Sequence, residues 1–238
     1  MSALKKYDEV EKLVETKRLQ EEFFLIGKNY EIAALEKLQT ECENFLVKNK
    51  DEEISDLVQI IGAIIVYTKN YNREVARGQV KRVWKKLIVK EKFSLYEIRI
   101  LIPILFVASS TEELIKVTNK CLDDLGYYRF DQLYIKLRIL LLLNLMRMLI
   151  DDKFFSEDYR LKYDKLINEA TDEIIELNAE CKENYNTYVA LATIHKGMVT
   201  KDKTLFRVGI ALLESEQFDL SKIDRAIKFY MERYNFII

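Results

Sequence analysis

The chain has 238 residues, enough for one sizeable core or an elongated repeat domain, with 49% hydrophobic and 32% charged residues. One proline and six glycines argue against sandwiches, barrels and doubly wound sheets, which need turn residues roughly every ten positions. A formal net charge of −1 lacks the basic excess that neutralises phosphates, so direct contact with nucleic acid is not expected.

Apolar residues recur at three- and four-residue spacing almost throughout, which is the signature of helices with one buried face. The spacing predicts helices over 4–26, 31–48, 52–69, 73–89, 94–108, 111–126, 130–151, 157–176, 182–199, 204–216 and 220–234. The first is expected to end at Gly27-Lys28-Asn29 in a left-handed conformation, and Asn49-Lys50-Asp51 separates the second from the third. Within "LYEIRILIPILF", Pro103 removes a backbone donor and predicts a kink or an early end. Ser110, before Thr111-Glu112-Glu113, offers a hydroxyl cap followed by early acids, and Ser156-Glu157-Asp158 repeats the pattern. Asp219-Leu220-Ser221 precedes the last segment.

Helices of this length joined by short loops favour successive antiparallel hairpins, at about two helices per 40 residues. The expected fold is therefore all-α: a tetratricopeptide-like, right-handed helical-repeat solenoid of about 11 helices, forming a single domain over 1–238 with a concave face. A compact all-α bundle is the alternative. Tyr188–Phe218 comes closest to a repeat unit, with small Ala190, Ala192 and Gly197 on its first helix and Ala211 and Phe218 on its second.

Enzyme signatures are scarce. There is one histidine, His195, which reads as a surface or hairpin-packing residue, and no glycine-rich phosphate loop. Acidic pairs such as Asp151-Asp152 and Glu157-Asp158 fall where helix ends meet water; a small enzyme would need acids such as Asp151 and Glu157 to converge around a metal. No catalytic activity, metal or cofactor is expected. Cys42, Cys121 and Cys181 are odd in number and far apart, which suits buried thiols in a reducing cytoplasm. The opening "MSALKKYDEVEK" is charged and has no apolar stretch of the kind found in a signal peptide.

The segment "KLRILLLLNLMRMLI" (Lys136–Ile150) raises the question of a membrane span. Only eight residues separate Arg138 from Arg147, and one of them is Asn144. A span needs about 20 predominantly apolar residues, so this is a helix buried in protein. On a helical wheel Lys136, Asn144, Arg147 and Asp151 share an arc of about 80°. Leu141, Leu142, Leu145 and Leu149 occupy a separate arc, and Arg138 stands apart. An amide donates and accepts at once and so matches the main chain of an extended peptide. The stripe is either a wetted face or the lining of a concave channel, with Asn144 on a peptide backbone and Arg147 or Lys136 on a carboxylate. Two aromatic clusters read the same two ways. They are Tyr127, Tyr128, Phe130 and Tyr134, and Tyr185 with Tyr188 beside Asn184 and Asn186.

The segment "VKRVWKKLIVKEKFSLYEIRILIPILF" (Val80–Phe106) resembles a hallmark of Rgg/GadR/MutR-type transcriptional regulators. A hydrophobic helix and an aromatic turn precede Tyr96-Glu97, which opens another hydrophobic helix; Phe93 stands where the family often has tryptophan. The helix holding Asn144, the "DDKFF" loop (Asp151–Phe155) and the last hairpin are also similar, so the resemblance runs over about residues 10–235. It implies a peptide-pheromone-sensing, homodimeric regulatory domain that controls gene expression by quorum sensing in the cytoplasm of Gram-positive bacteria. Its ligand would be a short hydrophobic signalling peptide, with no membrane partner. The implied peptide-binding residues are Asn144 and Arg147, with Lys136 and Asp151 on the same stripe and Asn184 and Tyr188 in the next repeat. DNA would be reached only through the family's N-terminal helix-turn-helix domain, of which no trace is read ahead of Tyr7. A helical-repeat scaffold for protein–protein interaction, without a transcriptional role, is the alternative.

Overall fold

The computed structural model describes residues 3–26, 31–151, 157–181, 185–220, 227–228 and 231–232, with backbone alone at 3–8, 151 and 157–162. Among these residues all regular structure is helical: ten α-helices and two short 3-10 segments. The eleventh expected helix, 220–234, falls largely outside the described residues, as do the breaks at Gly27-Lys28-Asn29, Ser156 and Ser221. No helix among the described residues is long and apolar enough to cross a membrane. The chain forms two compact units, 1–109 and 110–238.

The first unit contains α1 (Ala3–Ile26), α2 (Ile32–Lys48), α3 (Glu52–Asn70), α4 (Arg73–Ile88) and α5 (Leu95–Leu101), followed by a 3-10 segment, Ile102–Val107. Helices α1 to α4 pack each on the next, α1 also reaches α3, and the 3-10 segment packs against α4 and α5. Leu19, Phe23, Leu35, Leu38, Ile54, Ile60, Ile61, Ile98 and Leu101 are sealed in the core. Each such side chain contributes about 1.5–3 kcal/mol relative to exposure. Polar groups set the registers. Asp51 caps α3 by accepting from the Ile54 amide at 3.1 Å and holds the Thr16 hydroxyl of α1 at 3.1 Å. Asp56 of α3 is buried and takes Arg82 at 2.9 Å and Lys86 at 2.8 Å from α4. Asn72 caps α4 after Tyr71 turns the chain at φ 51°.

Pro103 ends α5 rather than kinking it. The chain tightens into the 3-10 segment with proline in its first turn. Arg77 of α4 then donates to the carbonyls of Val107 at 2.8 Å and Ala108 at 2.6 Å, satisfying backbone groups at the segment's far end.

The second unit contains α6 (Thr111–Leu125), α7 (Tyr134–Asp151), α8 (Glu157–Glu180), α9 (Asn186–Thr200) and α10 (Lys203–Ser215); a 3-10 turn, Gly126–Tyr128, follows α6. Ser110 caps α6 through the Glu113 amide at 3.2 Å. Helix α7 packs against α6, α8 and α9, which explains its leucine content: an internal helix has apolar neighbours on most sides.

Helices α9 and α10 are joined by Lys201, at φ 56°, and Asp202, which caps α10. They approach closely at two glycines. A Cβ on Gly197 would lie 2.6 Å from the Phe206 nitrogen, and one on Gly209 would lie 2.9 Å from the Ala190 oxygen. Ala190 and Ala192 are buried as small packing residues, whereas Ala211, expected to play that part on the second helix, is exposed. Gly209 takes its place because it, and not Ala211, faces α9.

Candidate functional site

Helix α7 carries the candidate site. Leu137, Ile139, Leu141, Leu142, Leu143, Leu145, Met146, Met148, Leu149 and Ile150 are all buried. Lys136, Leu140, Asn144 and Arg147 are half-buried, and they follow one another along a single face at spacings of three and four. Arg138 is also half-buried but points elsewhere, onto Glu173 of α8, where it is ion-paired. Between Lys136 and Ile150 the polar residues of α7 therefore divide by role: Arg138 ties α7 to α8, and Lys136, Asn144 and Arg147 lie on a partly open stripe.

The Asn144 amide nitrogen donates to the Leu140 carbonyl of its own helix at 2.9 Å. That bond satisfies one amide hydrogen and leaves the capacity of the second hydrogen and of Oδ1 for another partner. Lys136 and Arg147 already have interactions within the protein, so a ligand on the stripe would exchange these for its own. Asp151 is the last residue of α7, and its side chain is not among those described. Asn184 lies outside the described residues.

Tyr188 belongs to α9, a helix that packs on α7, so it is on a different element from the stripe. Its ring stacks on that of Tyr185 with centroids 5.8 Å apart, and burial pushes its phenol upward from the ordinary tyrosine range. The neighbouring amides bond within the protein. Asn178 accepts from the Tyr185 amide at 2.9 Å and donates to Asn186 at 3.3 Å, and Asn186 donates to Glu216 at 2.9 Å. This clamp joins the ends of α8, α9 and α10. Asn178 and Glu216 escape a reading by local motif because they are eight and thirty residues from Asn186. His195 is buried within the α9–α10 hairpin.

The residues that carry the family resemblance also have a local physical role. Ser94 caps α5: its hydroxyl accepts from the Glu97 amide at 3.3 Å, and the Glu97 carboxylate accepts from the Ser94 amide at 2.8 Å. Phe93 before the cap and Ile98 after it are both buried, at the two positions of a hydrophobic staple. Tyr96 meets Phe24 of α1 edge-on at 6.0 Å, and Arg99 covers the Phe24 ring at 3.6 Å while gripping Glu21 with two bonds of 2.8 and 3.0 Å. The motif starts α5 and fastens it to α1.

Compared with protein-family models, curated proteins and solved structures, the chain matches none.

Proposed function

We propose that the chain is the peptide-sensing, dimerising regulatory domain of an Rgg-type transcriptional regulator, built as a right-handed tetratricopeptide-like solenoid and working in the cytoplasm. The observation that carries the reading is the half-buried stripe of Lys136, Asn144 and Arg147 on α7, a helix whose remaining residues from Leu137 to Ile150 are apolar apart from Arg138, which is ion-paired to α8. A cationic and amide stripe beside Leu140 suits a short hydrophobic peptide. Asn144 would bond the peptide main chain, and Arg147 or Lys136 would hold its terminal carboxylate. The successive packing of α1 to α4 in the first unit and of α6 to α10 in the second supports the repeat architecture. A peptide that binds one dimer arrangement better than another shifts the population towards it, by no more than that difference in affinity.

Calorimetry with short hydrophobic peptides bearing free C-terminal carboxylates tests this. Saturable binding is expected, weakened several-fold by Asn144→Ala and on the order of tenfold or more by Arg147→Ala, since a neutral main-chain bond contributes about 0.5–1.5 kcal/mol and a charge-assisted one about 1.5–3 kcal/mol. Absence of binding, or binding that both variants leave unchanged, removes the proposal.

A further inference from the structure

Helix α4 buries Ala76, Val80, Val83, Trp84 and Leu87 against its own unit. Its opposite face is uncovered and has a regular order. Val75, Gly78, Arg82, Lys85 and Val89 are all exposed and follow at spacings of three, four, three and four residues. That alternation is the seam by which one helix packs along another. It spans about 21 Å at ~1.5 Å per residue, or four turns of a partner.

Three features of this face point to what would lie on it. Gly78 sits mid-helix with no atom within 4 Å of where a Cβ would be, whereas a Cβ at each of the α-helical glycines Gly62, Gly197 and Gly209 would meet a neighbour. A glycine in a helix interior is unfavourable relative to alanine, and here no internal packing requires it; it opens a recess on an outer face. The centre of the face is cationic. Arg82 uses one nitrogen on Asp56 and its side chain stays 59% exposed, while no ion pair of Lys81 or Lys85 occurs among the described residues. Each end carries an exposed valine, Val75 at 49% beside the acidic Glu74 and Val89 at 77%.

We infer that this face of α4 docks an acidic amphipathic helix of another protein. Carboxylates of that helix meet Lys81, Arg82 and Lys85, a bulky side chain enters the recess over Gly78, and aliphatic residues cover Val75 and Val89. The valine-bearing ends and the recess favour a protein helix over a nucleic-acid backbone, which presents phosphates and sugars and nothing to fill either. Exposed ion pairs each contribute little, so the complex is weak, salt-sensitive and dependent on the recess as well as on charge. The surface lies in the first unit and does not involve Asn144 or Arg147, so it stands or falls apart from peptide sensing.

The test is fluorescence anisotropy with a labelled, covalently stapled helical peptide of about 18 residues, carrying central glutamates and terminal leucines and long enough to span the seam. Saturable binding is expected at low salt, lost as salt rises. Lys81→Glu with Lys85→Glu should weaken it on the order of tenfold. Gly78→Leu should weaken it similarly without lowering the melting temperature, because nothing in the fold occupies that space. Failure of the acidic helix to bind overturns the inference. So does indifference to Gly78→Leu, equal binding of the lysine-for-glutamate peptide, or tighter binding of a short DNA duplex. Concentration-dependent sedimentation abolished by the Lys81 and Lys85 reversals would assign the face to a second copy of the chain and overturn it too.

Discussion

Glycines in this protein act through what stands opposite them. Gly197 and Gly209 let α9 and α10 approach until backbone faces backbone, and a methyl there would lie 2.5–3.1 Å from atoms of the facing segments. Gly197→Ala and Gly209→Ala are each expected to destabilise by about 1–3 kcal/mol or more, since backbone cannot yield as a side-chain tip does. Gly78→Ala, by contrast, should stabilise by up to about 1 kcal/mol. Thermal unfolding followed by circular dichroism separates the two classes. Asn144 makes the opposite kind of case. Its described bond is to its own helix, so Asn144→Ala should change stability by no more than about 1 kcal/mol, and a larger loss would mark it as a structural residue rather than a ligand-facing one.

At the scale of the element, α5 shows how a short helix is held. Ser94 and Glu97 satisfy each other's backbone amides, Lys90 pairs with the Glu97 carboxylate, and Arg77 serves the carbonyls beyond Pro103. Ser94→Ala should cost about 1 kcal/mol. Burial alone would push the Glu97 carboxyl above the ordinary glutamate range, but the bonds from Lys90 and Ser94 outweigh it and hold the carboxyl below that range. A depressed native value contributes stability that is present above the unfolded value of about 4.3 and is lost as pH falls through the native one. The stability gap between the parent and Glu97→Gln should therefore close on acidification from pH 6 to pH 3. A gap independent of pH would mean that the carboxylate charge plays no part. Helix positions themselves were legible from periodicity, from breaks such as Asn49-Lys50-Asp51 and from the cap at Ser110. The 3-10 path after Pro103 was not, because its stabilising donors come from Arg77, thirty residues earlier in the chain.

Over the whole molecule, each compact unit encloses one buried thiol. Cys42 lies in the first and Cys121 in the second, and burial pushes both up to about 12. Both therefore stay protonated at pH 8 and react only when their own unit opens, while half-exposed Cys181 is accessible in the native state. Pulse alkylation read by mass spectrometry should modify Cys181 first. In rising denaturant, Cys42 and Cys121 then report the opening of the two units separately. Early modification of all three thiols in native buffer would contradict the burial.

Residue order by itself determined that the chain is helical, roughly where each helix lies, and that Lys136, Asn144 and Arg147 share one face of α7. Those properties follow from bonds between near neighbours and from the 3.6-residue period, which act locally. Packing decided how far each face is covered: that the α7 stripe is half-buried, that Asn144 turns back to Leu140, that Gly209 rather than Ala211 meets α9, and that the outer face of α4 is left open. Coverage depends on which elements come to lie against a face, and those partners are set by contacts between segments distant along the chain, where a helical period carries no information.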